Sequence, residues 1–293
     1  MLRLKDGFTG ERSIVLPPVI QAMMLEDPMI SMLHITDIGY YPKAEYHYRE
    51  RLKPIDQNVF IYVVAGAGWY EVDGQRFRAE TNQYFILPAG KTHKYGADKN
   101  RPWTIYWLHF RGSVAGQFLP QAPAPIDLIP DARSRIGDRI NIFEEMFLTL
   151  KNGYTIENIR YSSCVLHYYL GTLRYERQFT ERGGTSDGSI VDLSIHFMKE
   201  HLEKKLSLKE ISDAVGYSPT HFSFLFKQQT GHSPLMYFNL LKIQEACAML
   251  DETDMKINQI SFKIGIDDTY YFSRLFSKTM GMSPKEYRSR LKG

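Results

Sequence analysis

Cysteine is nearly absent from this chain. Its 293 residues hold two, Cys164 and Cys247, far apart in segments of helical pattern. A disulfide framework or a thiolate metal centre needs more, so both read as buried thiols. Long apolar runs are missing as well. No stretch reaches the roughly eighteen apolar residues of a membrane span, and the opening MLRLKDGFTGERS has no apolar h-region. No membrane association is expected, and the cytoplasm is the expected location. Charge of one sign is also scarce. The net charge is +3, and from residue 190 onward fourteen Lys and Arg stand against twelve Asp and Glu. That excludes a polycation coating nucleic acid without discrimination. It leaves room for a specific reader with a few placed cations.

Signatures of catalysis are equally thin. There is no Ser nucleophile elbow, no phosphate-binding Gly loop and no convincing carboxylate pair. A metal centre needs clustered ligands. His47 stands alone between Tyr46 and Tyr48, while His93 and His109 sit on different segments with no nearby carboxylate. No metal, no cofactor and no enzymatic activity are expected. The length suits two domains, each able to bury a core.

Between residues 29 and 110 the pattern is one of short strands and turns. Residues 58–64 (NVFIYVV), 69–72, 75–79, 84–87 and 103–110 (WTIYWLHF) read as strands. Asp73-Gly74 is a two-residue hairpin signal. Even spacing with Gly and Pro punctuation suggests a sandwich or jelly-roll barrel. A small barrel has room for one ligand in its mouth. Aromatic faces and hydrogen-bonding side chains would suit a sugar or polyol. The candidates are Arg51, Trp69, His93, Tyr95, Trp107 and His109, and each aromatic among them would equally suit plain core.

Residues 117–130 are Pro-rich and read as extended surface chain. Two amphipathic helices follow. Ile136, Ile140, Phe143, Phe147 and Leu150 recur at spacings of four and three, a coiled-coil-like seam. Ile159, Leu166, Leu170 and Leu173 form the second stripe, interrupted by Ser163. One face can pack on the barrel while another meets a second copy. Residues 181–189 (ERGGTSDGS) have nothing to bury and mark the domain boundary.

The C-terminal part contains one unit twice. Residues 211–237 read ISDAVGYSPTHFSFLFKQQTGHSPLMY, and residues 260–287 read ISFKIGIDDTYYFSRLFSKTMGMSPKEY. Phe222, Phe226, Gly231, Ser233, Pro234 and Tyr237 recur as Phe272, Phe276, Gly281, Ser283, Pro284 and Tyr287. Each copy fits a helix-turn-helix, with turns at Gly216 and Gly265 and a long helix over about 235–250 between them. Ser207 with Glu210 reads as a capping box, Ser218-Pro219 as a helix start, and Asp267 or Asp268 as the cap of the last recognition helix. The outward residues of the first copy are Ser218, Thr220, His221, Ser223, Phe224 and Lys227. Those of the second are Thr269, Tyr270, Ser273, Arg274 and Lys278. A protruding helix suits the major groove, where Arg274 could bond guanine at two acceptors. Tyr270 could meet a base edge. Ser218, His221, Lys227 and Lys278 suit phosphates.

Residues 268–276 (DTYYFSRLF) followed by Gly281-Met-Ser-Pro284 resemble the C-terminal signature of AraC/XylS-type transcriptional regulators. Gly216-Tyr-Ser-Pro-Thr-His-Phe222 and Gly231-His-Ser-Pro234 fit it too. Phe224 departs where the family often has Arg, and Ile266 where an aromatic is usual. The resemblance implies a seven-helix DNA-binding domain. Leu87-Pro-Ala-Gly90, His93-Lys-Tyr95-Gly96 and the aromatic strand from Trp103 resemble the cupin-type sugar domain of the arabinose-responsive members. It implies ligand contacts from Arg51, Tyr95 and Trp107, with Ile105 standing where that group has a His.

The expected fold is therefore multi-domain α+β. A cupin-like domain with an N-terminal arm occupies 1–125, a helical pair 126–178, a linker 179–189 and an all-α DNA-binding domain 190–293, with helix-turn-helix motifs at 209–230 and 257–280. The expected function is ligand-responsive transcriptional regulation, most simply activation of a carbohydrate-use operon. Expected partners are double-stranded DNA, a sugar-like effector, RNA polymerase and a second copy of the chain through the helices within 133–175. The alternatives are a cupin enzyme with an appended DNA-binding module and a constitutive regulator without effector.

Overall fold

The computed structural model describes residues 3–128, 134–180 and 189–290. It divides into two compact units, Met1–Gly183 and Gly184–Gly293. That division falls within the expected linker, of which residues 181–188 lie outside the described part. Among the described residues no helix is long and apolar enough to cross a membrane.

The first unit is built on strands β1 (Arg12–Val15), β2 (His34–Tyr41), β3 (Tyr48–Arg51), β4 (Asn58–Ala65), β5 (Ala67–Val72), β6 (Gln75–Glu80), β7 (Gln83–Leu87), β8 (His93–Ala97), β9 (Thr104–Arg111) and β10 (Ile126–Asp127). They form two antiparallel sheets, ordered β1-β2-β9-β4-β7-β10 and β3-β8-β5-β6. Asp73 and Gly74 join β5 to β6 with φ of 51° and 75°, the pair of left-handed residues a type I′ hairpin requires. The expected strands are present. The expected N-terminal arm is in part a strand, since β1 pairs with β2 from Arg12↔Tyr40 to Val15↔Asp37. Helix α1 (Pro18–Glu26) was not legible as a helix, because its apolar residues follow no helical stripe.

Helices α2 (Ile136–Lys151), α3 (Ile156–Arg174) and α4 (Glu176–Thr180) complete the unit. The seam of α2 packs on the six-stranded sheet. Phe143 meets Tyr106 at 4.9 Å between ring centroids, and Tyr169 of α3 meets Phe60 at 5.5 Å. Phe143, Phe147 and Leu150 are buried there, with Ile136 and Ile140 packed at the margin. The seam is thus filled within one chain, and the outward face carries Leu148, Tyr161 and Tyr168 instead. Ser163 interrupts the α3 stripe for a reason. Its hydroxyl is buried and donates to the Leu33 carbonyl at 2.5 Å, a bond an apolar residue could not make.

The second unit contains α5 (Ile190–Lys199), α6 (Leu208–Ala214), α7 (Pro219–Thr230), α8 (Pro234–Glu252), α9 (Ile257–Lys263), α10 (Thr269–Met280) and α11 (Pro284–Arg290). Ser207 and Glu210 form the expected capping box. Asp268 caps α10, accepting from the N–H groups of Tyr270 and Tyr271, while Asp267 pairs with Lys205. Two small cores result, one around Phe222 and Phe226, the other around Phe272 and Phe276. Lys242 of α8 joins them. Its buried ammonium donates to the carbonyls of Lys204 at 2.8 Å and Ile264 at 2.6 Å. Burial pushes its pKa down to about 8.

Trp103 closes one end of the space between the sheets. It is fully buried, and its ring lies flat on Gly68, where an added Cβ would stand 1.9 Å from it. Its indole N–H donates to His47 Nδ1 at 3.1 Å. Burial, helped by Arg49, pushes His47 down to about 3, and burial pushes His93 down to about 4. Gly68→Ala should therefore cost about 3 kcal/mol of overpacking, read as a loss of denaturation midpoint. All three tryptophans lie in this unit, so tryptophan fluorescence follows its unfolding alone. The histidines predict acid sensitivity. Their folded pKa lies below the unfolded 6.5, so the unfolded chain takes up protons first and stability falls as pH drops below 6.5. His47→Gln, which keeps an acceptor for Trp103, should shrink the loss between pH 7 and 5 by about 2 kcal/mol. An unchanged pH dependence would show that His47 is not held neutral.

Candidate ligand cavity and nucleic-acid interface

Period-two alternation brings side chains from six strands to one cavity of about 340 Å³ between the sheets, Ile61 of β4 among them. β2 contributes Asp37 and Tyr41, β9 contributes Ile105, Trp107 and His109, β3 contributes Arg49 and Arg51, β8 contributes Tyr95, and β1 contributes Ser13 and Val15. Gly39, between Asp37 and Tyr41 on the same face, lets the Trp107 ring lie against β2. An added Cβ there would sit 2.6 Å from the ring.

The walls carry an ordered polar network. Asp37 Oδ2 accepts from the Thr36 hydroxyl at 2.7 Å and the Gln57 amide at 3.3 Å, and lies 3.3 Å from His109 Nδ1. Burial works to raise the Asp37 carboxyl, but its bonds to His109 and Thr36 outweigh it and hold the group below its usual range. Burial raises the Tyr41 and Tyr95 hydroxyls, so both stay protonated and available as donors.

Three predicted residues, Arg51, Tyr95 and Trp107, meet in this cavity, as does His109. Two do not. Trp69 alternates with Tyr70 and takes the outer face of the four-stranded sheet, where the Arg76 guanidinium lies 3.9 Å over its ring. His93 is buried and stacks near Tyr95, but lines a smaller neighbouring hollow shared with Arg51. The residues that sequence reasoning missed are Glu11, Asp37, Tyr41, Arg49 and Gln57. A charged residue inside the apolar strand HITDIGYY was the available signal for Asp37. Among the described residues no group of three His, Cys, Asp or Glu side chains is placed to hold a metal.

In the second unit the two repeats have matching phase. In α7, Phe222 and Phe226 point inward, their centroids 5.5 Å apart, and Tyr237 meets Phe226 at 5.3 Å. In α10, Phe272 and Phe276 are 5.8 Å apart, and Tyr287 meets Phe276 at 5.6 Å. Gly231 and Gly281 end the two helices in the left-handed conformation, at φ of 75° and 74°. This common core pushes corresponding residues outward. Ser218, Thr220, His221, Phe224 and Lys227 are exposed and Ser223 half-buried. Tyr270, Arg274 and Lys278 are exposed, with Thr269 and Ser273 half-buried. Phe224 is 66% exposed and Tyr270 84%. Ser218 makes no side-chain cap bond. Ile266 is buried with Phe272 and Phe276, which explains an apolar residue there.

Comparison with known proteins places these two surfaces in one frame. Residues 38–156 match the AraC-like ligand binding domain, and residues 211–290 match a helix-turn-helix domain. The MmsAB operon regulatory protein of Pseudomonas aeruginosa is 31% identical over 94% of this chain and 89% of its own length. The lactose operon transcription activator of Staphylococcus xylosus is 25% identical over 84% and 88%. The arabinose operon regulatory protein of Escherichia coli is 26% identical over 81% and 82%. The chain belongs to the AraC-type transcriptional regulators, ligand-responsive DNA-binding proteins rather than enzymes.

Proposed function

We propose that the chain is a cytoplasmic activator of a carbohydrate-use operon, with a sugar-like effector bound between the sheets and duplex DNA read through α7 and α10. In this reading residues 1–125 form a closed cupin-like barrel that takes the effector. Residues 126–178 supply the dimer contact, through the outward face carrying Leu148, Tyr161 and Tyr168. The expected linker begins after α4, whose Phe179 is buried, and residues 181–189 lead to the DNA-binding domain at 190–293, which meets RNA polymerase at the promoter. The curated relatives named for lactose and arabinose operons support the carbohydrate assignment.

One observation carries the DNA half: the same aromatic core is built twice, and it presents two helices in equivalent phase with unequal outer faces. Among the described residues Arg274 has no ion-pair partner, and its guanidinium is free for two acceptors of a guanine. Tyr270 beside it reaches a base edge or thymine methyl. The first helix offers Thr220, Ser223 and Phe224, which suit methyl and shape contacts. Ser218, His221, Lys227, Thr269, Ser273 and Lys278 border these and suit phosphate oxygens. Two rigidly joined readers would require the DNA to bend, at a cost of several kcal/mol offset by contacts.

A mobility-shift series on the chain's own upstream region tests this. Arg274→Ala should weaken specific binding by about 1–3 kcal/mol and relax selection at one base position. Lys227→Ala and Lys278→Ala should instead weaken all sequences alike and reduce the log–log salt slope by about one each. Absence of any sequence-specific shift, with or without candidate sugars, would reject the reading. A shift that no small molecule alters would leave a constitutive regulator.

A further inference from the structure

The polar groups of the cavity are unevenly satisfied. Its acidic side is already engaged. Glu11 accepts the N–H groups of Gly7 at 2.8 Å and Phe8 at 2.9 Å. Asp37 is held by Thr36, Gln57 and His109, as described above. Asp6 makes a loose 3.8 Å pair with Arg49 from a largely exposed position. The donor side is different. Arg51 Nε is buried with no hydrogen-bond partner, and so is Trp107 Nε1. Both side chains line the cavity. Among the described residues no carboxylate lies within 4.0 Å of the Arg51 guanidinium.

This arrangement is costly unless something fills it. A guanidinium does not shed its proton to escape burial. A buried donor left without an acceptor forfeits its desolvation energy, and a charged one forfeits more. A neutral sugar hydroxyl would give Arg51 Nε an acceptor but no ion pair, since Asp37 acts on Arg51 through space without bonding to it. A carboxylate supplies both, in a planar shape that matches the guanidinium fork. Hydroxyls on the same molecule would find the Trp107 indole N–H and the Tyr41 hydroxyl. Trp107 and Tyr95 offer ring faces to its C–H groups. A volume of about 340 Å³ is at the small end for ligand sites and suits one compact molecule.

We infer that the effector is an anion, a small polyhydroxy carboxylic acid whose carboxylate sits on Arg51 and whose hydroxyls take up the remaining wall. The inference rests on the reading of this cavity as the effector site, and it narrows that reading from sugars in general to sugar acids. Asp37 and Glu11 already have donors and Asp6 sits at the rim, so the ligand's carboxylate belongs at Arg51, on the side of the cavity that holds unengaged donors.

Matched pairs of compounds test it on the full-length protein, by tryptophan fluorescence and thermal shift. The pairs are galactose with galacturonate, glucose with gluconate, and glycerol with glycerate. At least one acid should raise the melting temperature and perturb the fluorescence, with its neutral partner about tenfold weaker or more. The methyl ester of galacturonic acid, which keeps the skeleton and removes the charge, should lose binding relative to galacturonate by a similar factor if galacturonate is the acid that binds. Arg51→Gln should lose the acid's binding by about the same factor, while its ligand-free melting temperature is no lower than that of the native chain. If that variant does not fold, the neutral partners on the native chain still decide. Neutral sugars binding as tightly as their acids, or Arg51→Gln binding the acid undiminished, would overturn the anionic assignment and leave the cavity as an effector site. No response to any member of the pairs would overturn both.

Discussion

The first unit depends on two tryptophans that each need a glycine opposite. Trp103 lies on Gly68 and fills one end of the space between the sheets. Trp107 lies against Gly39 and forms a wall of the space that stays open. Interiors pack to near-crystalline density, so a ring of this size fits between sheets only where the facing strand has no side chain. A cavity therefore exists because one indole stops short of it and another borders it. The polar tip of Trp103 must also be satisfied, and His47 does so while remaining neutral. Packing and protonation state are thus set by the same contact.

The second unit follows a different economy. Its two halves are each too small to bury much alone, and each relies on one Phe–Phe–Tyr cluster packed largely edge to face. What fixes one half against the other is polar. Lys242 sends its ammonium to carbonyls in the approach to α6 and in the turn between α9 and α10. Gly265 at that turn has a φ of 67° and sits so close to the Glu203 carbonyl that a Cβ would be 2.3 Å from it. The spacing of the two recognition helices is a property of this joint rather than of either helix.

Much of this was legible in the residues, and the remainder failed for identifiable reasons. The duplicated C-terminal unit was readable because its caps, turns and paired phenylalanines recur fifty positions apart. The strands from 58 to 110 were readable from their β-branched and aromatic content. Trp69 was misplaced because residue type was weighed before strand phase. One residue further along, Tyr70 is the inward neighbour. Arg49, Gln57 and Glu11 were invisible because they reach the cavity from segments whose partners are distant in sequence. The cavity is assembled by pairings such as Arg51↔His93 and Gly39↔Trp107, and no local window contains them. The seam of α2 was seen correctly as apolar, but periodicity alone cannot say whether a sheet or a second helix covers it.

How a ligand in the cavity could be felt elsewhere follows from β1. Along this strand Ser13 and Val15 line the cavity, and Arg12 and Ile14 face the opposite way. Arg12 makes a two-pronged pair with Glu144 of α2, at 2.8 and 2.6 Å, and Tyr106 of β9 donates to the same carboxylate at 2.9 Å. Its guanidinium also lies 5.1 Å over Tyr40 and 5.2 Å over Phe147. A ligand can shift an equilibrium only by binding one arrangement better than another. β1 is an edge strand of four residues, held by fewer ladder bonds than any central strand. β3, which brings Arg49 and Arg51 to the cavity, is likewise a four-residue edge strand, and of the two it is β1 that is tied to α2, through the Arg12–Glu144 pair.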